Sequence, residues 1–339
     1  MKDFDLITLG EIMLRLSPPL NKRIMRDDVF EKYAGGAELN VASGISLLGL
    51  RTAVISKLPN NQIGTFVKNR IRFNTVSDDF LIWDDTPNAR LGIYYYENGA
   101  YPRKPSVVYD RKNSSFNSIR LDEIPESVYS STRMFYTSGI TLALSENTRN
   151  VATEMIKKFK AGGALIAFDV NYRANLWDEA TAKKTILEIL PYVDYLFISE
   201  ESCRRMFAKS GTLEEMHREF CRDFPNIKLI ASSEREVISP KVHSFTSLVY
   251  SAEKDEFFTE PQYKEIDVVD RIGSGDAYCA GVLFGMLKYG DPKKAMEFGN
   301  ATCATKNTIF GDLPVSDFEE ISKIIRAHQA TGRQSEMDR

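Results

Sequence analysis

The chain has 339 residues, of which 43% are apolar and 27% charged, so it can bury a large core and is not disordered. Its net charge of −3 lacks the basic surplus expected of a protein that binds nucleic acid or an anionic membrane. The four cysteines are scattered, which argues against a disulfide framework, and the three histidines are isolated, which argues against a histidine metal site. No apolar run approaches the ~20 residues of a membrane span. We therefore expect a cytoplasmic protein.

The N-terminal quarter alternates apolar strands with helices. Residues 4–11 are predicted to form a buried strand that ends at a glycine, and residues 51–57 form a second buried strand. Between them, residues 12–33 are too broken for a helix. A helix of small residues follows Gly35-Gly36 and runs to about residue 49, and another is predicted around 64–74.

Residues 80–111 have a different pattern. Three aromatic-rich, strand-like segments are separated by turn-forming residues, with no helix between them. We therefore expect a small β-sheet lid, made from residues ~12–33 and ~85–112.

From residue 130 onward, strands and helices alternate. Strands are predicted at 134–136, 164–169, 195–198 and 228–231, and helices at 146–160 and 178–190. The alternation favours a mostly parallel α/β sheet with helices on both faces, whose strand ends carry the ligand. No repeat or low-complexity linker divides the chain, so we predict one domain over residues 1–327 and a polar tail at 328–339.

The most informative stretch is Gly273-Ser274-Gly275-Asp276, after which small and apolar residues continue at helical spacing. The glycines permit positive φ and leave room for a ligand. The free N–H groups and the dipole of the helix that begins here suit a phosphoryl group. Asp276 is a poor phosphate ligand but a good base for an attacking hydroxyl. Taken alone, these four residues more often indicate an aspartate at a helix N-cap.

The flanks of this stretch change the balance. Asp270 before it and Ala280-Gly281 after it resemble the C-terminal signature of the ribokinase-like (PfkB) carbohydrate kinases. The paired glycines Gly35-Gly36 and the polar Asn40 are similar to the N-terminal glycine motif of the same family, although glycines at a helix start are also common for packing.

The resemblance covers residues ~4–325 and implies a ribokinase-like fold that transfers a phosphoryl group from ATP with Mg²⁺. By the same resemblance Asp276 is the general base, the amides of Gly273, Ser274 and Gly275 hold the transferring group, and the sugar lies against Gly35, Gly36 and Asn40.

The acceptor is predicted from the run Asp169–Trp177, which follows a buried strand. It resembles the D-x-N-x-R-x-x-x-W run of 2-keto-3-deoxygluconate kinases and some fructokinases. Tyr94, Tyr109 and Arg111 fall where the keto-deoxy-sugar-acid kinases place lid residues that contact the substrate. Guanidinium groups at Arg111 and Arg173 suit a carboxylate, so we expect 2-keto-3-deoxygluconate as acceptor. Taken singly, these side chains are also ordinary surface or strand residues.

The nucleotide half departs from the family pattern. Residues 199–202 replace the Asn-x-x-Glu run that is usual in the family. Glu201 is the candidate metal contact in its place, although an acid in the first turn of a helix is also common. The usual glycine-rich stretch is missing at 232–236, where Ser233 or Arg235 could contact the phosphates. Asn300 and Ala304 lie in a small-residue helix that resembles the wall of the adenine pocket. In relatives, Asp270 helps to form a monovalent-cation site. Arg271 argues against such a site here, because position 271 usually has a small or β-branched residue in the family.

Three alternatives stay open. A fructokinase or another neutral-sugar kinase uses the same scaffold. A non-catalytic sugar-binding relative is favoured by the irregular nucleotide motifs and disfavoured by Asp276. A dinucleotide-binding dehydrogenase needs Gly-x-Gly-x-x-Gly after the first strand, which residues 10–13 do not supply. The aromatic faces and open edges of the lid strands further predict a homodimer through the lid.

Overall fold

A computed structural model describes residues 2–330. The strands are β1 (Phe4–Leu9), β2 (Met13–Ser17), β3 (Glu31–Gly35), β4 (Thr52–Pro59), β5 (Leu81–Asp84), β6 (Gly92–Glu97), β7 (Ser106–Asp110), β8 (Thr132–Ser138), β9 (Leu165–Asp169), β10 (Tyr195–Phe197), β11 (Leu229–Ser239), β12 (Val242–Ser251), β13 (Glu256–Phe258) and β14 (Tyr263–Asp267). The helices are α1 (Ala37–Leu47), α2 (Gln62–Phe73), α3 (Gly139–Ala143), α4 (Glu146–Ala161), α5 (Glu179–Ile189), α6 (Glu200–Arg205), α7 (Leu213–Asp223), α8 (Ser274–Tyr289), α9 (Pro292–Asn307) and α10 (Phe318–Gln329).

The main sheet is parallel through its centre and antiparallel at one edge. Its strand order is β13-β12-β11-β10-β9-β8-β1-β4-β5, and β14 also pairs with β12. Every pair from β5 to β11 is parallel, whereas β12 runs antiparallel to β11, β13 and β14. The predicted mostly parallel α/β sheet is thereby confirmed.

Two apolar cores lie on opposite faces of this sheet because successive strand side chains point to opposite sides. Ile7 and Phe135 belong to the core that packs against α4, α5 and α7, where Phe135 stacks on Phe159 with ring centroids 4.1 Å apart. Leu6 and Tyr136 belong to the core on the other face, which is covered by α1, α8, α9 and α10. The site therefore rests on strands that are held from both sides.

The small second sheet has the order β3-β2-β6-β7 and corresponds to the predicted lid. Only three residues separate the end of β1 from the start of β2, so the lid leaves the main sheet at the carboxyl end of β1. Of the aromatic-rich segments, the one at 80–83 does not join the lid. It belongs to β5, which pairs with β4 at the edge of the main sheet.

The structure differs from the predictions at two other places. Residues 232–236 form no loop but continue β11, which pairs with β12 in one long hairpin. α10 extends to Gln329, so the predicted tail boundary at 328 falls within a helix, where His328 stacks on Tyr263 at 3.7 Å. The rest of the predicted tail, from 331 onward, lies outside the described residues. Across residues 2–330, no helix has both the length and the hydropathy that a bilayer span requires.

Candidate active site

The glycine-rich turn opens α8 at the edge of a cavity of about 580 Å³. Gly273 is the N-cap of this helix with φ of +81°, and a Cβ there would lie 2.1 Å from the carbonyl oxygen of Asp312, so only glycine fits. Residues 272–276 all line the cavity. The N–H of Ser274 already donates to the carbonyl oxygen of Arg271 at 3.2 Å, which leaves that amide occupied.

Asp276 is joined to the N-terminal glycine motif by a direct hydrogen bond. The side-chain amide of Asn40, on α1, donates to Asp276 Oδ2 at 2.7 Å, and both residues line the cavity. Asn40 Oδ1 is buried and has no hydrogen-bond partner among the described residues. This acceptor beside a carboxylate can receive a hydrogen bond from a hydroxyl of a bound sugar.

Three carboxyl groups lie near one another here. Burial raises the pKa of Asp276 to about 7 and that of Asp169 to about 6, and the charges of Asp169 and Glu38 raise the pKa of Asp276 further. The hydrogen bond from Asn40 and the guanidinium of Arg173 oppose the rise at Asp276. An aspartate whose pKa lies near 7 can exchange a proton with a hydroxyl at neutral pH.

Glu38 is buried next to this group and is held by protein donors. Its Oε1 accepts hydrogen bonds from the N–H and hydroxyl of Ser138 and from the hydroxyl of Thr141, the last two at 2.7 and 2.8 Å. No role was predicted from the sequence for Glu38 or Asp169. The usable signal was the position of Asp169 at the carboxyl end of a strand.

The paired glycines serve the packing of the lid as well as the cavity. A Cβ on Gly35 would lie 2.0 Å from Asp312 Oδ2, and one on Gly36 would lie 2.3 Å from the carbonyl oxygen of Glu11. Gly36 lines the cavity, whereas Gly35 accommodates the Asp312 side chain.

A buried arginine ties the lid to the loops around the turn. Arg15, on β2, lies 2.7 Å from Asp270 Oδ2 and 2.8 Å from Asp312 Oδ1. Asp270 also accepts the N–H groups of Ile272 and Gly311 at 3.0 and 3.1 Å. The Tyr94 hydroxyl donates to Asp312, so this predicted substrate contact lines the cavity with its hydroxyl already paired.

A second cation contacts the same loops from α9. The ammonium of Lys306 is buried and donates to the carbonyl oxygens of Ile309 and Asp270 at 3.1 and 3.3 Å. These carbonyls lie where the family resemblance locates a monovalent cation, and here they receive a positive charge from the chain itself.

The two predicted carboxylate-binding arginines differ in their surroundings. Arg111 Nε donates to Glu11 Oε2 at 2.9 Å, a second guanidinium nitrogen donates to the same oxygen, and Glu11 is buried. Arg173 is exposed and donates only to the carbonyl of Tyr172, at 3.3 Å, with no ion pair to any residue of 2–330. Arg111, Arg173 and Tyr109 all line the cavity, and of the two arginines only Arg173 lacks an ion pair, although its charge lowers the pKa of the nearby Asp169 and Asp276.

The predicted nucleotide residues are dispersed. Ser233 and Glu201 line a neighbouring cavity of about 420 Å³ at the ends of β9 and β10 and beside β11, where Glu201 is paired with Arg205 at 2.6 Å. Arg235 lines the larger cavity instead. Asn300 is fully buried, and its side-chain amide is hydrogen-bonded to Ser247 at 2.7 Å and to Glu260 at 2.9 Å.

Ala304, the last predicted nucleotide contact, is buried in α9 four residues after Asn300. Within residues 2–330, no cluster of three or more carboxylate, histidine or cysteine ligands is arranged to hold a metal ion. Glu201, on the wall of the smaller cavity, supplies a carboxylate oxygen of the kind that Mg²⁺ accepts as a ligand.

Comparison with known proteins supports a common origin over the whole fold. Residues 3–311 match the pfkB family carbohydrate kinases. The chain is 35% identical to the 2-dehydro-3-deoxygalactonokinase of Haloferax volcanii, with 96% of this chain and 98% of the relative covered. It superimposes on the 2-dehydro-3-deoxygluconokinase of Thermotoga maritima with a TM-score of 0.90 at 34% identity, covering 95% of this chain and 99% of the other.

A more distant chain from E. coli, named as a ribokinase II and solved with ATP and Mg²⁺, gives a TM-score of 0.82 at 20% identity. The alignment covers 96% of this chain and all of the other, and it shows the same fold.

We expect Asp276→Asn to raise the Tm at pH 8. The rise should exceed that at pH 5 by about 2–4 °C. The native pKa of about 7 exceeds the ordinary 3.8, so the native state loses its proton at higher pH than the unfolded chain. Stability therefore falls as pH rises from about 4 to 7, and the amide escapes that loss. Asp122→Asn, at an exposed position, is the matched control. An equal change in Tm at both pH values would contradict the raised pKa of Asp276 in the native state.

Proposed function

The chain belongs to the pfkB family of carbohydrate kinases, and on this basis we propose that it transfers the γ-phosphoryl group of ATP to the terminal hydroxyl of a 2-keto-3-deoxy sugar acid, 2-keto-3-deoxygluconate in the first place. The observation that carries the proposal is the Asn40–Asp276 pair at the start of α8, in a cavity that also contains the unpaired Arg173. The names of the Haloferax and Thermotoga proteins support the acceptor class, because both denote keto-deoxy sugar acids.

In the proposed reaction Asp276 acts as the general base. It accepts the proton of the terminal hydroxyl while the hydroxyl oxygen bonds to the γ-phosphorus and the bond to the bridging oxygen of ADP breaks. Asn40 holds the carboxylate with its N–H and presents its free oxygen to the sugar. The N-terminus of α8, with Gly273 and Gly275 at the cavity wall, faces the phosphoryl group with positive partial charge.

The carboxylate of the sugar acid is assigned to Arg173. A planar guanidinium binds a carboxylate through two parallel hydrogen bonds, and no acidic side chain of residues 2–330 competes for Arg173 through an ion pair. Arg111 lines the same cavity but has its charge balanced by Glu11, so it contributes shape and hydrogen-bond geometry more than net charge.

Magnesium enters the proposal with the nucleotide. Glu201, at the wall of the smaller cavity, is the carboxylate placed to approach it, directly or through water. When bound, the ion neutralises negative charge on the phosphates, which lowers the repulsion felt by the attacking oxygen.

A neutral-sugar kinase such as a fructokinase is the second candidate. It is favoured by the pairing of Arg111 with Glu11, because one of the two arginines expected to bind the carboxylate already forms an ion pair. The deciding experiment incubates the protein with Mg·ATP and a panel of sugars and sugar acids, and identifies the phosphorylated product by mass.

Replacement of Asp276 by Asn should lower kcat on the preferred sugar acid by about 10²–10⁴-fold, the range for loss of a general base. For the unmodified protein, kcat/KM should fall below pH about 7, because protonation of this aspartate removes the base. Steady-state kinetics from pH 5.5 to 8.5 measure both effects, with Asp122→Asn as control. Near-normal turnover of the Asp276→Asn protein would refute the assignment.

Replacement of Arg173 by Ala should reduce kcat/KM for the sugar acid at least ~10-fold more than any kcat/KM for fructose, because only the acid loses a charged hydrogen-bond partner. The exposed Arg120 provides the matched control in Arg120→Ala. Equal losses on both sugars would count against recognition of a carboxylate by Arg173.

We also propose that two copies associate through the lid. β7 is exposed along its whole length at the edge of the second sheet, and Val107, Val108 and Tyr109 are more than 40% exposed there. An open edge with apolar side chains is a surface that proteins usually cover. Analytical ultracentrifugation should show a dimer that Val108→Lys weakens, and a monomer at all concentrations would exclude it.

A further inference from the structure

Two arginines of the larger cavity have no role in the reaction described above. Arg235 lies on β11, and Arg271 lies in the loop two residues before Gly273. Both line the cavity that contains the turn and Asp276. No carboxylate of residues 2–330 forms an ion pair with either guanidinium, although Arg15 and Arg111, which lie close by, are both paired with acids.

The two guanidinium groups lie close enough to oppose each other. Arg235 is exposed, but partial desolvation of its guanidinium lowers its pKa, and the charge of Arg271 lowers it further. The buried His243 has its pKa lowered to about 4, by burial first and then by Arg235 and Arg271. Its Nδ1 has no partner within the described chain. Such a basic cluster costs free energy in the empty protein, and a bound anion removes that cost.

The position of the cluster indicates which anion. Arg271 is held beside the lid, where it partly offsets the rise that burial imposes on the pKa of Tyr96, and its backbone leads directly into the turn of α8. The single carboxylate of a sugar acid is already matched by Arg173. A nucleoside triphosphate carries more negative charge than one Mg²⁺ ion neutralises. A guanidinium group binds phosphate oxygens through two parallel N–H donors.

We propose that Arg235 and Arg271 form a clamp for the β- and γ-phosphates of the nucleotide, and that Arg271 remains in contact with the phosphoryl group during its transfer. The clamp rests on the proposed function, and its two arginines supply a full positive charge that the backbone N–H groups of the glycine turn lack. An arginine supplied from within the same chain stabilises the charge of the transferring group without any covalent step of its own. It accounts for an arginine at position 271, where the family signature has a small or β-branched residue.

The test measures binding of ADP, AMP and 2-keto-3-deoxygluconate separately, by calorimetry with Mg²⁺ and without turnover. The variants are Arg235→Gln, Arg271→Gln and Arg271→Lys, with the exposed Arg72→Gln as matched control. Each Gln variant should weaken ADP at least about 10-fold, and Arg271→Lys should weaken it less. The affinities for AMP and for the sugar acid should change less than about twofold, because neither molecule carries a β-phosphate.

Three outcomes would overturn the clamp: unchanged ADP affinity in both Gln variants, equal losses for ADP and AMP, or loss of sugar-acid affinity with ADP unchanged, which would make the pair a carboxylate site. Thermal unfolding of each variant separates these outcomes from misfolding, and Arg271→Lys preserves the charge if Arg271→Gln does not fold. Failure of the clamp is distinguishable from failure of the proposed function. If the protein phosphorylates no sugar acid but Arg271→Gln weakens ADP binding, the clamp is supported and the proposed function fails. If the protein phosphorylates the sugar acid but the Gln variants bind ADP normally, the proposed function is supported and the clamp fails.

Discussion

The ion pairs of Arg15 with Asp270 and Asp312 connect the three parts of the molecule that must meet at the site. β2 belongs to the lid, Asp270 precedes the turn of α8, and Asp312 lies in the loop after α9. All three side chains are almost fully buried, so loss of one partner would leave an uncompensated charge in the interior. The network therefore fixes where the lid lies relative to the glycine turn, and the cavity between them takes its shape from that constraint.

The charges around the cavity are unevenly balanced. The arginines that join the lid to its surroundings are paired with acids, as in Arg15 with its two aspartates and Arg111 with Glu11. Where ligands are expected they are unpaired or of like sign: Asp169 beside Asp276, and Arg235 beside Arg271. Like charges held close together destabilise the protein when no ligand is bound. The same repulsion between carboxylates helps to raise the pKa of Asp276 towards neutral pH.

Much of the fold was predictable because its signals are local. Apolar runs of strand length and their alternation with helical patterns predict a parallel sheet, and aromatic strands without intervening helices predict the lid. The motif around Gly273 and Asp276 carried the family signature in adjacent residues. The continuation of β11 through residues 232–236 was missed, because a strand whose outer half is exposed and polar has no apolar pattern to show.

The sequence by itself determined the family, the α/β class and the short runs that carry the chemistry, since each of these depends on residues that are neighbours along the chain. Only the tertiary structure decided which distant residues became partners. Asn40 reaches Asp276 across 236 positions and Arg15 reaches Asp312 across 297. It also decided that Arg111 is neutralised while Arg173 and Arg271 are not. Burial, pairing and the resulting pKa values depend on what surrounds a side chain in space, and periodicity along the chain carries no record of that.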